Sequence, residues 1–526
     1  MKKGIFWCKD MNENPPRLIT VSVECSFSGE CEGNVNYSSK SGKNFNHKKE
    51  WSKLDKNVTE GYPYNYYPRG RVEIKNGKVT IFLNPDINTD EVLDVILTEF
   101  ELKDDRRKII KVKSDGSNHY QYLMHRDEVS KKQFRFENAE KRVKEFCMDA
   151  IARKYGKTIP KAARHRLDEE LLKISECDGW SRYLLAAKLA EKNRKMGYVH
   201  NVRGCAGGSF VAYLLGITET NPLPAMSGYE DGNDIPYEFF MGSSTAKNPS
   251  FDLNFANEIQ SNRLDFCKEI LGENQVFYGG VFSDTVGENY LKIVKHPGKL
   301  VIVPKDCMVD CFVDKKKGII YDERRRFDSI NVLEHDMFSR LKKIQDYIGV
   351  NVHELHVGND IVEEIAKWKP EAFEGLTMKE LGQNEIFRIV KPKNFSELVK
   401  VYGLSHGRGT WNENGEELFR DGIPLDDIIA HREDVMLKLL QFGLSREESY
   451  QIAEYVRMGK VFRLGFQEEQ IARLKEVNVP DWYIESMQKI KYLFPKSHAV
   501  EYVRNFLREA WIKEHYPDEF KKVIEV

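Results

Sequence analysis

The alternation of apolar and polar positions divides the chain before any composition is counted. Residues 71–83 read as two β-rich runs on either side of Asn76 and Gly77, the local signature of a hairpin. Val92, Val95, Ile96 and Phe100 recur at helical spacing, and Ile109 to Val112 offers another strand, so the first segment is expected to be a small α/β unit. From Asn138 the period is helical: Val143, Phe146, Cys147, Ala150 and Ile151 fall on one stripe, and at least two more helices precede residue 200. Gly-rich turns and β-runs return between about 200 and 335, with Lys299 to Pro304 reading as a strand. Beyond residue 337 nearly every stretch is helical. Asn394 with Glu397 caps a helix expected to stop at Gly403, and Ser445 with Glu448 forms a second capping box. Val500, Val503, Leu507, Ala510 and Trp511 line one face of a last helix that ends before Pro517. The expected divisions are residues 1–128, a helical lead-in over 129–200, a sheet-bearing part over 201–340, and an all-helical part over 341–526. The fold class is α+β.

Composition narrows the function. Lys+Arg 81 against Asp+Glu 82 leaves a formal net charge of −1 over 526 residues, so a polyanion partner must be held by local patches and not by a global basic field. No apolar run is long enough to span a bilayer, and the start turns polar too soon for a signal peptide, so a soluble cytoplasmic protein is expected. Nine cysteines without a C-x-x-C pair fit reduced thiols, and the pairs Cys25 with Cys31 and Cys307 with Cys311 lack the matching pairs a zinc site needs.

Five regions could carry chemistry. Arg203, Gly204, Gly207, Gly208 and Ser209 precede an apolar helix, so free backbone N–H groups could cradle phosphate; a packing turn is the commoner use of such glycines. Asp252 lies in an alternating run with Phe251, Leu253 and Phe255 on one face and Asp252 with Asn254 on the other. Asp328, Glu334, His335 and Asp336 flank a strand-to-helix transition, as caps and dipole partners or, more sharply, as metal ligands. Arg457, Lys460, Lys489, Lys491, Lys496, His498 and Arg504 interleave with aromatic residues, either as a solvated helical face or as a surface for a phosphate backbone and stacked bases. The aromatic cluster from Tyr62 to Arg71 has the same two readings.

In order along the chain, RGCAGGSFVAYLLGITETNPLP, DIPYEFFMG, PSFDLNF, HPGKLVIVP, VLEHD, FSELVKVYGLSHG, REDVM, VPDWYIESMQKIKYLFPKSHAVEYV and KEHYP resemble successive motifs of the palm and fingers of PolC-type bacterial DNA polymerase III, a C-family replicative enzyme. The resemblance runs from about residue 138 to 520 and does not extend to residues 1–128, which are expected to be an unrelated domain. It implies a palm with a mixed sheet holding two Mg²⁺ on three aspartates, a Gly-Ser loop that meets the incoming triphosphate, and helical fingers that bind nucleotide and template.

The motifs depart from the family at decisive positions. Where the family's palm strand has Asp-x-Asp, this chain has Ser250 and Asp252, and the third aspartate aligns with Asn331. The zinc-binding cysteines expected between Pro224 and Asp234 are absent, the stretch before HPGKL is too short for the family's thumb, and the fingers' Arg pair falls on Leu381 and Asn384. No exonuclease, PHP, duplex-binding or clamp-binding segment is recognised. The expectation is therefore a pseudoenzyme that binds primer-template DNA, nucleotide or a replisome protein, has no membrane partner, and needs Mg²⁺ only if it is a polymerase. The alternatives are a minimal polymerase with substituted ligands such as Glu334 or Asp336, and a protein-interaction module.

Overall fold

The computed structural model describes ten strands within residues 2–124 and, further on, residues 133–226, 231–283, 292–305, 307, 312–314, 316–320, 327–355 and 358–524. Two compact units divide the chain: Met1–Lys132 with Gly279–His296 and Asp310–Arg326, and Gln133–Tyr278 with Pro297–Val309 and Phe327–Val526.

The ten strands are β1 (Lys2–Lys9), β2 (Leu18–Cys25), β3 (Glu30–Cys31), β4 (Val35–Ser38), β5 (Asn44–Asn46), β6 (Gly70–Lys75), β7 (Lys78–Leu83), β8 (Val95–Phe100), β9 (Arg107–Ser114) and β10 (Asn118–Met124). They form two five-stranded sheets, ordered β5-β4-β2-β1-β8 and β3-β6-β7-β10-β9. The expected hairpin is β6 with β7, with Lys75 opposite Lys78. The expected helix through Val95, Ile96 and Phe100 is instead strand β8, antiparallel to β1. A short run of β-branched and aromatic residues satisfies both periods, and pairing with β1 decides between them. Val92, the residues from Tyr62 to Arg69, and residues 227–230 and 287–291 of the motif comparison lie outside the described residues.

The second unit opens with three helices, α1 (Ala139–Tyr155), α2 (Lys161–Glu176) and α3 (Trp180–Lys195). Val143, Cys147, Ala150 and Ile151 of α1 are buried, but Phe146 is 46% exposed. It sits at the edge of the apolar stripe, where the Arg153 guanidinium covers its ring at 5.8 Å. Strands β11 (Asn201–Val202), β12 (Asp252–Phe255) and β17 (Asp328–Glu334) follow in this unit, with the short helix α4 (Phe210–Leu214) after β11; β13 (Val276–Ser283) and β14 (Lys292–Ile302) are divided between the two units, and β15 (Phe312–Asp314) and β16 (Ile319–Ile320) belong to the first. Within this unit the strands are ordered β11-β12-β17-β14, a mixed arrangement: β12 is parallel to β17, whereas β11 and β14 pair antiparallel with their neighbours.

Helices then dominate, among them α5 (Asp336–Ile348), α6 (Phe395–His406), α7 (Arg432–Gln441), α8 (Arg446–Arg457), α9 (Lys460–Leu464) and α10 (Lys496–His515). Both expected caps are present: Asn394 accepts from the Glu397 N–H, and Ser445 and Glu448 bond reciprocally. Val500, Val503, Leu507 and Ala510 of α10 are buried as expected, and Trp511 is half-buried.

Helix α6 continues past Gly403 to His406, so that glycine is not a terminator. Its role is close approach. A Cβ built there would lie 2.1 Å from Nε2 of His431, a fully buried ring at the start of α7. Gly403→Ala should therefore lower the unfolding free energy by roughly 1–3 kcal/mol through overpacking. Helix propensity alone would raise it by about 1 kcal/mol. Urea denaturation gives the sign, and adding His431→Ala should reverse part of the loss.

Candidate functional site

Alternation along β12 sends Phe251, Leu253 and Phe255 into the core, each no more than 2% exposed, and leaves Asp252 half-buried on the other face. The parallel register puts Asp252 directly opposite Asn331 of β17. Asn331 Nδ2 donates to Asp252 Oδ1 at 2.6 Å, so a neutral amide stands against the carboxylate and occupies one of its acceptor sites. Ser250, two residues earlier, is exposed. Asn254 is fully buried, and its Nδ2 donates to Asn201 Oδ1 at 2.8 Å and to the Tyr502 hydroxyl of α10 at 3.0 Å.

The backbone N–H of Arg203 donates to the Asp252 carbonyl at 2.9 Å, which docks the Gly-rich turn beside β12. The first turn of α10 holds it from the other side: Ser497 Oγ donates to the Gly204 carbonyl at 2.7 Å, and the Gly204 N–H approaches His498 Nδ1 at 3.4 Å. Arg203 is exposed, whereas Gly207, Gly208 and Ser209 are buried.

The helix N-terminus expected to cradle phosphate already holds an anion from the protein itself. Glu170 of α2, fully buried, accepts from Ser209 Oγ at 2.8 Å, from the Phe210 N–H at 2.8 Å and from the Val211 N–H at 3.0 Å. Arg166 completes the arrangement, pairing with Glu170 at 2.6 Å and donating to the carbonyls of Gly208 and Ile235. The physics is that of an anion at a helix start, but the anion is a side chain. This corrects the phosphate reading of Ser209, Gly207 and Gly208. Their neighbours Arg203 and Gly204 remain at the surface.

Around Arg203, distant motifs converge. His406 and Tyr402 have ring centroids 4.0 Å apart, Phe494 and His498 4.7 Å, His498 and Tyr502 4.6 Å, and His335 and Tyr502 5.2 Å. Burial pushes the His498 imidazole down to about 3, and the Arg203 charge lowers it further. His335 is lowered in the same way, chiefly by burial, with Asp336 acting against it. His498 is thus a neutral ring at pH 7.

The remaining acids near the transition have structural roles. Asp328 accepts from Arg182 Nε at 2.9 Å and from the Phe134 N–H at 3.1 Å. His335 caps α5 by accepting from the Met337 N–H, and Asp336 accepts from Asn257 Nδ2 at 2.5 Å. Glu334 stands three residues from Asn331, an odd step along a strand that places it on the opposite face, where it is felt by Arg263. Among the described residues no group of three or more His, Cys, Asp or Glu side chains is placed to hold a metal ion. Asp252 beside Asn331 does not fit a two-magnesium centre.

The basic candidates of the helical part separate into committed and open groups. Arg457 forks onto both carboxylate oxygens of Glu454 at 2.8 Å, Arg504 donates to the Glu219 carbonyl, and Lys489 donates to the Glu413 carbonyl at 2.6 Å and pairs with Glu417 at 3.3 Å. Lys496 lines a polar cavity with Lys400, Lys438, Asp427 and Asp434. Lys460 rests over the Tyr455 ring at 4.7 Å and Lys491 over the Phe462 ring at 4.9 Å.

Sequence reasoning missed Glu170, and a signal for it existed. Ala163, Leu167, Glu170 and Ile174 form one buried stripe of α2, so a carboxylate at an apolar position marks a buried partner. Asn201, which anchors Asn254, carried no such signal.

The profile of the bacterial DNA polymerase III alpha NTPase domain matches residues 141–368. The PolC-type DNA polymerase III of Caldanaerobacter subterraneus subsp. tengcongensis is 30% identical over 477 residues, covering 73% of this chain and 34% of that protein. The corresponding protein of Pediococcus pentosaceus is 31% identical over 478 residues, covering 72% and 32%. That of Thermotoga petrophila is 28% identical over 564 residues, covering 89% and 40%. The chain therefore spans about a third of the length of the curated relatives it matches. The Thermotoga alignment covers a larger share than residues 133–526 make up, so it reaches into the amino-terminal segment that was expected to be unrelated. No helix among the described residues is long and apolar enough to cross a membrane. Through the region that holds Asp252 and Asn331, the chain resembles PolC-type bacterial DNA polymerase III.

Proposed function

We propose that this protein is a polymerase-derived palm-and-fingers scaffold that binds primed DNA and has lost two-metal nucleotidyl transfer. The observation that carries this reading is the Asp252–Asn331 pair, a lone carboxylate whose opposite strand position offers an amide hydrogen in place of a second charge. Binding is supported by the exposed Arg203 beside that pair and by the similarity to PolC-type DNA polymerase III, whose substrate class is DNA. His335 and His498, half-buried and held toward the neutral form, add no charge beside Arg203 and leave it as the cation there.

Titration of a primed duplex at several salt concentrations tests the binding. Contacts to phosphates release counterions, so the logarithm of the affinity should fall with the logarithm of salt by about 0.9 per phosphate neutralised. Arg203→Ala should make that slope shallower by about one. A salt-insensitive interaction, or none, would move the reading to a protein-binding module.

A further inference from the structure

We propose that the turn and short helix from Gly459 to Gly465 form a contact for single-stranded nucleic acid. Unpaired bases would stack on Phe462 and Leu464, and phosphates would meet Lys460, Arg463, Lys491 and Arg408. The ligand class rests on the nucleic-acid reading above; the location and the preference for unpaired strands do not.

Three segments build this surface. Arg408 and Tyr492 form an isolated antiparallel bridge, in which the Arg408 N–H donates to the Tyr492 carbonyl at 3.0 Å and the Lys491 N–H to the Arg408 carbonyl at 2.8 Å. Gly459 fits against the same segment: its φ is +62°, and a Cβ there would lie 2.4 Å from the Lys491 carbonyl oxygen. The backbone is thus fixed before any ligand arrives, which lowers the ordering cost of binding.

On this frame the apolar groups face outward. Phe462 is 47% and Leu464 76% exposed, an unusual placement for two large side chains within one five-residue helix. The charges beside them are of one sign. Among the described residues no carboxylate pairs with Lys460, Lys491, Arg463 or Arg408, although Arg463 donates to the Gly459 and Met458 carbonyls of its own turn, whereas Lys489 and Arg457 nearby are both engaged by glutamates. A solvated helix face would carry such acids at i±3 or i±4. Cations without a carboxylate partner beside an exposed ring match a polyanion that also presents flat apolar faces, and a paired duplex hides those faces inside its stack.

The test measures fluorescence anisotropy of a short oligothymidine and of a blunt duplex of equal length, each with the full chain. The chain should bind the oligothymidine, and Phe462→Ala should weaken this about tenfold, within the range of base-aromatic stacking, while Phe462→Trp should not. Lys460→Ala with Lys491→Ala should make the oligothymidine salt slope shallower by about 1.4, and duplex affinity should change by less than about twofold. Equal losses for oligothymidine and duplex, or none for either, would overturn the proposal. If the unaltered chain binds duplex but not oligothymidine, this inference fails alone; if it binds neither, the nucleic-acid reading fails with it.

Discussion

Primer extension by this protein should be undetectable with Mg²⁺ or Mn²⁺, at least thousands-fold below an active polymerase of similar scaffold. Two ions about 4 Å apart must sit between the primer oxygen and the leaving pyrophosphate in two-metal chemistry. At an effective dielectric of 20, unit charges at that distance interact by about 4 kcal/mol, so two dications repel by roughly four times as much before any ligand acts. Asp252 supplies one compensating charge. Asn331 supplies none and also hydrogen-bonds the carboxylate oxygen that a metal would need. Every ~1.4 kcal/mol left uncompensated is a factor of ten in rate, so a small part of the deficit suffices. The reversal has a distinct signature. Asn331→Asp places two carboxylates directly opposite each other in register, which should lower thermal stability in metal-free buffer, by up to about 1 kcal/mol. Ser250→Asp with Asn331→Asp should turn that loss into Mn²⁺-dependent stabilisation, read as a rise in Tm with added metal. Template-dependent extension by the unaltered chain, abolished by Asp252→Asn, would refute the loss of catalysis.

Glu170→Ala should be the most destabilising single substitution at the Gly-rich turn, by about 3–5 kcal/mol, because it leaves the Arg166 guanidinium without its partner in a nearly closed site. It also strips acceptors from Ser209 Oγ and from the N–H groups of Phe210 and Val211. Glu170→Gln retains one acceptor oxygen and the side chain's shape and should lose less. Urea denaturation gives the magnitudes, and hydrogen exchange should quicken at Phe210 and Val211 in both variants. Inorganic phosphate should restore part of the stability of Glu170→Ala, since the vacated donors and Arg166 form an anion site. Unchanged stability would mean that the turn is held by its glycines and not by the carboxylate.

Features governed by near neighbours in sequence were legible. Asn394 and Ser445 cap their helices because their partners lie three residues away, and β6 meets β7 because the turn between them is short. Gly403 misled because a glycine near a helix end signals a stop, whereas the reason for this one is a ring 28 positions further on, at His431. Phe146 matched the helical period but fell at the margin of the stripe, a distinction that period alone does not make.

The site was legible in a different way. Alternation predicted the two faces of β12, yet the pairing of Asp252 with Asn331 spans 79 positions and came only through the family resemblance. The basic residues show the limit of pattern reading. Arg457, Lys489 and Lys491 look alike in sequence; Glu454 and Glu417 engage the first two, and Phe462 lies beneath the third. Which cations remain open is decided by tertiary neighbours, and that decision separates a neutralised helical face from a surface for nucleic acid.

The pocket around Asp252 should not gather a pair of divalent ions. Electron paramagnetic resonance of Mn²⁺, titrated into the chain with a primed duplex and a non-hydrolysable nucleoside triphosphate, counts them directly. No bound manganese is expected beyond what the nucleotide and duplex hold without protein, and no change with Asp252→Asn. Two protein-dependent ions per chain, spin-coupled at short range and released by Asp252→Asn, would contradict it.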